Sequence, residues 1–148
     1  MINEISSGAI VYYVNNQKVT FLLLHYCSGH WDFPKGNKEK GESDKDTALR
    51  EITEEAGITN IKILNGFQKE IFYKYKRNNQ LISKKVIYFL AKVTTTNVIL
   101  SPEHIDFVWE QYDDALSRLT YKNSKNLLTE GYKFLIYSLD RTSKPTNG

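Results

Sequence analysis

Hydrophobic and polar positions divide the chain into short extended runs with a few helical stretches between and after them. Residues 7–14 are rich in β-branched and aromatic side chains and predict a strand. Residues 19–26 predict a second, with Phe21, Leu22, Leu23 and Leu24 as a buried run. Asn15, Asn16 and Gln17 between them predict the turn of a hairpin. Trp31, Asp32 and Phe33 form a short extended piece entering Pro34, which disfavours helix in the residue before it. From Ser43 to Ala56 good helix formers dominate. Ser43 and Asp46 stand as a near capping box, and Gly57 sits where a left-handed C-cap belongs.

Beyond that helix, residues 61–75 predict one long strand bent at Gly66, Asn78 and Asn79 a turn, and residues 84–93 the returning strand with its core run Val86 to Leu90. Residues 98–100 predict a short strand, 107–110 another, and 113–119 a short helix. A longer helix opens at Ser124, with Leu127, Leu128, Tyr132, Leu135 and Leu139 at helical spacing. Gly131 inside it costs about 1 kcal/mol against alanine and predicts close packing. Residues 142–148 form a polar tail with Pro and Gly, expected to be flexible. No repeat interrupts this order, so 1–148 is read as one domain, a mixed α/β fold with its sheet between helices.

The helix at 44–56 changes the picture from architecture to chemistry. At 3.6 residues per turn, Leu49, Ile52 and Ala56 share one stripe and Glu51, Glu54 and Glu55 another. Like charges at i,i+3 and i,i+4 destabilise an exposed helix by roughly 0.2–0.5 kcal/mol per pair. Glu42, on the loop before the helix, adds a fourth carboxylate nearby. A hard divalent cation, Mg²⁺ or Mn²⁺ in its place, converts that repulsion into binding energy and sits naturally beside substrate phosphates. An isolated acidic stripe is ordinarily a solvated helix face. Here Gly36, Glu42, Arg50, Glu51, Ile52, Glu54, Glu55, Gly57 and Ile58 all stand at fixed offsets, a coincidence of about one in ten million from average residue usage.

This stretch is identified as the signature of the Nudix hydrolases, Gly-x5-Glu-x7-Arg-Glu-U-x-Glu-Glu-x-Gly-U with U aliphatic. The wider sequence resembles the asymmetrical diadenosine tetraphosphate hydrolases within that family. HWDFPKGNKEKGE, GFQKEIFYKY, KKVIYFLAKV, SPEHIDFVW and EGYKFL carry the likeness over most of residues 8–139. The resemblance implies an α/β/α sandwich and Mg²⁺-dependent attack of water on phosphorus in a dinucleoside polyphosphate, giving ATP and AMP. It implies metal ligation by Glu51, Glu54, Glu55 and Glu103 with the backbone of Lys35 and Gly36. Arg50 holds the neighbouring glutamate, and the general base is Glu51 or Glu103. By the same resemblance His30, Lys35 and Lys84 are expected to approach the phosphates, Tyr73 to stack on adenine, and Tyr121 or Phe134 to supply a second wall. His104 reads as structural.

The remaining features bound the reading. The chain has 148 residues and a formal charge of +3 despite the acidic helix, so basic residues gather elsewhere, as suits an anionic substrate. Cys27 is the only cysteine, which excludes an internal disulfide and fits a reducing compartment. Neither a signal peptide nor a membrane-length apolar run is present, and a monomeric cytoplasmic protein is expected. Other readings from the same residues are an RNA 5′-pyrophosphohydrolase or decapping enzyme, in which the basic hairpin holds RNA backbone, and a hydrolase of modified nucleoside triphosphates. A nucleotide-sensing binding module is the non-enzymatic alternative, disfavoured because a pure binder has no need of Glu51, Glu54 and Glu55 together.

Overall fold

The computed structural model describes residues 2–143, with side chains through Ser138. The side chain of Leu139 and residues 144–148 of the expected tail lie outside the described residues. Its elements in chain order are β1 (Ile2–Asn15), β2 (Lys18–Tyr26), β3 (Trp31–Asp32), β4 (Lys35–Asn37), α1 (Asp44–Ala56), β5 (Ile61–Arg77), β6 (Gln80–Val93), β7 (His104–Glu110), α2 (Tyr112–Arg118) and α3 (Lys122–Ser143). The strands form one mixed sheet in the order β3-β2-β1-β6-β5, with β7 added to β2 and β4 to β1. β1 and β6 run parallel from Ile2 opposite Ile82 to Tyr12 opposite Lys92, and the other pairings are antiparallel.

Both predicted hairpins form. Asn16 and Gln17, and again Asn78 and Asn79, take positive φ, the two-residue turn whose twist matches that of the flanking strands. β5 breaks register between Ile63 and Gln68, where Gly66 has φ of 94°, so the expected bend is a bulge. β1 begins well before the predicted residue 7, because pairing with β6 holds residues 2–6 in the sheet although Asn3, Glu4 and Ser6 are polar. Residues 98–100 do not form the expected strand. Ile99 and the next residue beyond the stretch turn to α1 instead: the Ile99 N–H donates to Ala56 O at 2.9 Å, and Ser101 N–H to Glu55 O at 3.2 Å. The segment thus satisfies carbonyls that the end of α1 would leave bare. α3 runs through Thr142 and Ser143, two residues of the expected tail, since the first residue incompatible with helix is Pro145.

Alternation along the strands builds a core on each face. Ile10, Tyr12, Phe21, Leu23, Val86, Tyr88 and Leu90 pack under Ala115, Leu119, Leu127, Leu128 and Leu135 of the α2–α3 side. Ala9, Val11, Leu22, Leu24, Ala91 and Val93 pack under Ile52 and Ala56 of α1. The result is the expected α/β/α sandwich. A Cβ on Gly131 would lie 2.7 Å from Ile10 Cδ1, so α3 does approach the sheet there as closely as its glycine predicts. Among the described residues no helix is long and apolar enough to cross a membrane.

One irregularity positions the site. β1 pairs with β2 only from Tyr12 to Asn15; farther back, over Ser6 to Gly8, the same edge of β1 is taken by β4. β2 meanwhile turns to β7 and β3. The lead-in to α1 is held in that opening, with Ala9 N–H donating to Pro34 O at 3.1 Å. Ile52 is fully buried where α1 meets the sheet. Ile52→Ala is expected to cost about 2–5 kcal/mol in urea unfolding; a loss under about 1 kcal/mol would show that α1 docks by other contacts.

Candidate active site

α1 is stopped at both ends as the sequence predicts. Ser43 Oγ accepts from Asp46 N–H at 3.1 Å, and Gly57, at φ 71°, donates its N–H to Thr53 O. The helix face differs from expectation in one respect. Glu55 belongs to the packed side with Ala48, Ile52 and Ala56, whereas Leu49 is only half-buried. The three glutamates therefore stand at three depths, their side chains 4% exposed at Glu55, 13% at Glu51 and 56% at Glu54.

Arg50 organises the carboxylates. Its Nε and Nη2 grip the two oxygens of Glu42 at 2.7 and 3.0 Å, and Nη1 donates to Glu51 Oε1 at 2.7 Å and Glu54 Oε2 at 3.1 Å. Nη2 also donates to the Asn37 carbonyl of β4 at 2.8 Å. Arg50 thus holds its neighbour as expected, and far more besides. Glu42 is corrected by this geometry: it is taken up by Arg50, by Thr47 Oγ1 and by the Glu39 N–H, and adds no carboxylate free for a cation. The hydrogen bond from Arg50 lowers its pKa to about 2.

Lys35, Gly36 and Asn37 present alternate sides to this cluster. The Ala9–Pro34 and Ile5–Lys38 hydrogen bonds set a register in which Gly36 faces Ser7, while the main chains of Lys35 and Asn37 turn away from β1. Accordingly Lys35 N–H donates to Glu55 Oε2 at 3.3 Å, and Asn37 O receives Arg50. The Gly36 carbonyl is thereby directed into the sheet rather than toward the carboxylates. What Gly36 supplies instead is room: a Cβ there would fall 2.0 Å from the Glu51 carboxyl carbon.

Burial, and then the charge of Glu51, push the Glu55 carboxyl from 4.5 up to about 9. Burial also raises Glu51, against the hydrogen bond from Arg50, with Glu54 and Glu103 adding to the rise. Among the described residues no three acidic, imidazole or thiol side chains already converge on one point, since Arg50 holds an oxygen of both Glu51 and Glu54. The donor chemistry nonetheless fits a hard cation: the carboxylates are all-oxygen ligands that raise one another's pKa, a repulsion that a divalent ion relieves.

Two cavities, each of about 450 Å³, meet at this cluster and share Tyr26 and Lys35 as a common wall. One is bordered by Gly36, Asn37, Arg50, Glu51, Glu54, Lys84 and Glu103. The other is bordered by His30, Asp32, Tyr73, Tyr88, Tyr121 and Ser124. Lys35 Nζ lies 3.5 Å from Asp32 Oδ2 and 5.7 Å from the centre of the Tyr73 ring, and Lys84 Nζ donates to Asn37 Oδ1 at 2.7 Å. His30 stacks on Tyr26 at 4.5 Å and lies 5.3 Å from Tyr121. Tyr121 borders this cavity together with Tyr73, and Phe134 does not. Phe134 packs on Phe67 at 5.6 Å and over Gly66, because the β5 bulge brings that part of the sheet under α3.

Tyr26, Asp32, Asn37 and Ser124 border the site, though nothing in the sequence marked them as site residues. Tyr26 donates from its hydroxyl to Phe33 O at 2.7 Å. Asp32 is buried and accepts from Ser124 Oγ and Phe33 N–H, both at 2.9 Å. An acid between Trp31 and Phe33 in an apolar run was the available signal, since a buried carboxylate requires partners. His104 is buried with Nδ1 at 3.0 Å from Ser101 Oγ and Nε2 at 3.7 Å from Glu55 Oε1, against the carboxylate cluster.

The NUDIX domain family matches residues 5–130. The chain belongs to the Nudix family. The Nudix box, 36–58, lies inside that match, and Nudix enzymes generally use divalent metal ions. Over 128 residues the chain is 43% identical to the asymmetrical bis(5′-nucleosyl)-tetraphosphatase of Sus scrofa, covering 82% of this chain and 84% of that one. A crystal structure of a C. elegans Ap4A hydrolase binary complex superposes with a TM-score of 0.80 at 32% identity, over 90% of this chain and 98% of the other. At lower identity, 26% over 121 residues, stands an RNA pyrophosphohydrolase from Sulfurovum sp., covering 74% of this chain and 77% of that one.

The raised Glu55 carboxyl makes stability depend on pH in the metal-free Nudix protein. Between the ordinary carboxyl range near 4.5 and about 9 the folded chain keeps a proton that the unfolded chain has lost. This contribution therefore falls as pH rises through that window. Thermal melts in chelator should show Tm declining from pH 5 to pH 9 and a flatter profile for Glu55→Gln. Identical profiles would mean that Glu55 ionises freely in the fold.

Proposed function

We propose that this Nudix protein is a Mg²⁺-dependent hydrolase of dinucleoside polyphosphates that splits diadenosine tetraphosphate into ATP and AMP. The observation that carries the reading is the pair of adjoining cavities. One is walled by aromatic rings suited to a base, the other by carboxylates and lysines suited to a cation and phosphates, with Lys35 at their junction. The asymmetrical tetraphosphatase relative, matched over most of both chains, supports the same substrate.

In this reading the adenine of one nucleotide lies between Tyr73 and Tyr121, with His30 and Tyr26 stacked at the cavity wall. Lys35 and Lys84 meet the phosphate charge that grows during reaction. Glu51, Glu54 and Glu55, with the Lys35 carbonyl, would hold the cation beside Glu103, and the Gly36 carbonyl is left to the sheet. Bound there, Mg²⁺, or Mn²⁺ in its place, polarises phosphoryl oxygens and makes water more acidic. Arg50 fixes Glu51 and Glu54 by one oxygen each.

Glu103 serves as general base. It lines the phosphate cavity on an exposed loop, and its carboxylate accepts no hydrogen bond from another described residue. Its oxygen takes a proton from water as the water oxygen bonds to phosphorus. The bond from that phosphorus to the bridging oxygen breaks, and its electron pair leaves with the triphosphate. The free, exposed Cys27 agrees with a cytoplasmic setting.

A second reading, hydrolysis of 5′-terminal pyrophosphate on RNA, is favoured by Lys74, Lys76, Arg77, Lys84 and Lys85 on the β5–β6 hairpin and by the Sulfurovum relative. Product analysis separates them. Diadenosine tetraphosphate with Mg²⁺ is expected to give ATP and AMP faster than triphosphorylated RNA loses pyrophosphate; two ADP, or no turnover, would sink the assignment. Glu103→Gln is expected to lower kcat about 10²- to 10⁴-fold with little change in KM, and an unchanged kcat would return the base to Glu51. Tyr73→Ala is expected to raise KM for the dinucleotide about tenfold or more, in line with the loss of one base stack. Unaltered kinetics would leave Tyr73 a structural residue.

A further inference from the structure

A dinucleotide has a second nucleoside, and the aromatic cavity accounts for one. The sheet register leads from that cavity out along the β5–β6 hairpin. Tyr73, Tyr75 and Arg77 alternate on one face of β5. Tyr73 stands opposite Lys84, which stands opposite Glu4; Tyr75 stands opposite Ile82, which stands opposite Ile2. This face continues the one on which Val86 and Tyr88 border the cavity.

The side chains along it are held in place. The Tyr73 and Tyr75 rings are 6.1 Å apart at 36°, and the Arg77 guanidinium lies 6.0 Å from the centre of the Tyr75 ring. Glu4 gathers them. It accepts from the Tyr75 hydroxyl at 2.5 Å and from Arg77 Nη2 at 3.1 Å, and Lys84 Nζ lies at 3.5 Å. The other partner of Lys84 is Asn37, on the border of the phosphate cavity. The Glu4 carboxylate is 17% exposed whereas Arg77 is 53% exposed, so the anion is the inner anchor and the cation faces outward. Three donors around one carboxylate leave a net positive charge beside an aromatic ring, the combination that binds a nucleotide by stacking and phosphate attraction. Two residues along a strand advance about 7 Å, so Tyr75 lies one such step beyond Tyr73.

We propose that Tyr75 and Arg77 form a subsite for the second nucleoside of a dinucleoside polyphosphate, with Glu4 as the residue that positions them and Lys84. The inference rests on the substrate reading above. Tyr75 and Arg77 stack on the distal base, and Lys84 sits between the two nucleosides at the phosphate chain. Because Glu4 orders these side chains before substrate arrives, the ordering cost of binding is reduced.

The test compares two probes with the full chain in Mg²⁺: a methylene-bridged, non-hydrolysable diadenosine tetraphosphate, and adenosine 5′-tetraphosphate, which lacks the second nucleoside. Calorimetry on the unaltered protein is expected to show the dinucleotide binding at least about fivefold tighter. Tyr75→Ala should remove most of that advantage while shifting affinity for the mononucleotide less than about twofold, and Tyr75→Phe, which keeps the ring, should retain most of it. Arg77→Gln, at an exposed position, gives the same reading where Tyr75→Ala disturbs the hairpin. Equal affinity for both probes in the unaltered protein, or variants that weaken both equally, would overturn the subsite and leave Glu4 a clamp between β1 and the hairpin. An advantage in binding without cleavage of diadenosine tetraphosphate would fail the proposed reaction and keep the subsite. Cleavage without the advantage would do the reverse.

Discussion

A single guanidinium stands where at least three carboxylates meet, and the geometry of the box depends on it. Without Arg50, Glu42, Glu51 and Glu54 would repel one another across one turn of helix and the loop before it. With it, the loop, the helix and β4 are joined, because the same side chain also donates to the Asn37 carbonyl. Removing one partner from such a partly buried network leaves charge without compensation, a costlier event than losing an exposed ion pair. Arg50 therefore explains why an acidic cluster is tolerated at the lip of a cavity. It also explains why Glu51 and Glu54 each keep one oxygen uncommitted to it.

Depth divides labour among the glutamates. Glu54 is largely in water, Glu51 is pressed over Gly36, and Glu55 is enclosed with Lys35 N–H at one oxygen and His104 near the other. A carboxyl held that far from water resists ionising, and a cation bound beside it would be coupled to release of its proton.

The period of two in β4 separates the two halves of the site. Lys35 and Gly36 are neighbours in sequence but point to opposite faces of the sheet. The lysine side chain reaches Asp32 and Tyr73 on the aromatic side, and the glycine makes room for Glu51 on the α1 side. The opening between β1 and β2 lets this short strand lie at the edge of β1, so that the aromatic-lined cavity and the one lined by carboxylates and lysines share a wall.

The sequence alone determined the local elements and the box. Both Asn-containing turns, the caps of α1 and the bend at Gly66 were legible because each is set by residues close in the chain and by backbone conformations that few residues adopt, and the close packing at Gly131 because a glycine inside a helix otherwise only costs stability. His30, Lys35, Tyr73, Lys84, Tyr121 and Glu103 were legible through family likeness, and all border the cavities. Tertiary structure alone decided the rest. Helical spacing placed Glu55 with Glu51 and Glu54, yet docking of α1 turned it inward; Glu42 was one more acid until Arg50 closed on it. Phe134 and Tyr121 were equivalent aromatics until the β5 bulge gave Phe134, on α3, Phe67 and Gly66 to pack against. Residues 98–100 looked extended and apolar, but the N–H groups of Ile99 and of the following Ser101 are given to the end of a helix rather than to a strand. Asp32, Tyr26 and Glu4 matter through partners that include Ser124, His30 and Tyr75, and the last pair is brought together only by the sheet, 71 residues apart. Periodicity reports which side of its own element a residue occupies; what that side meets is set by the packing of elements distant in sequence.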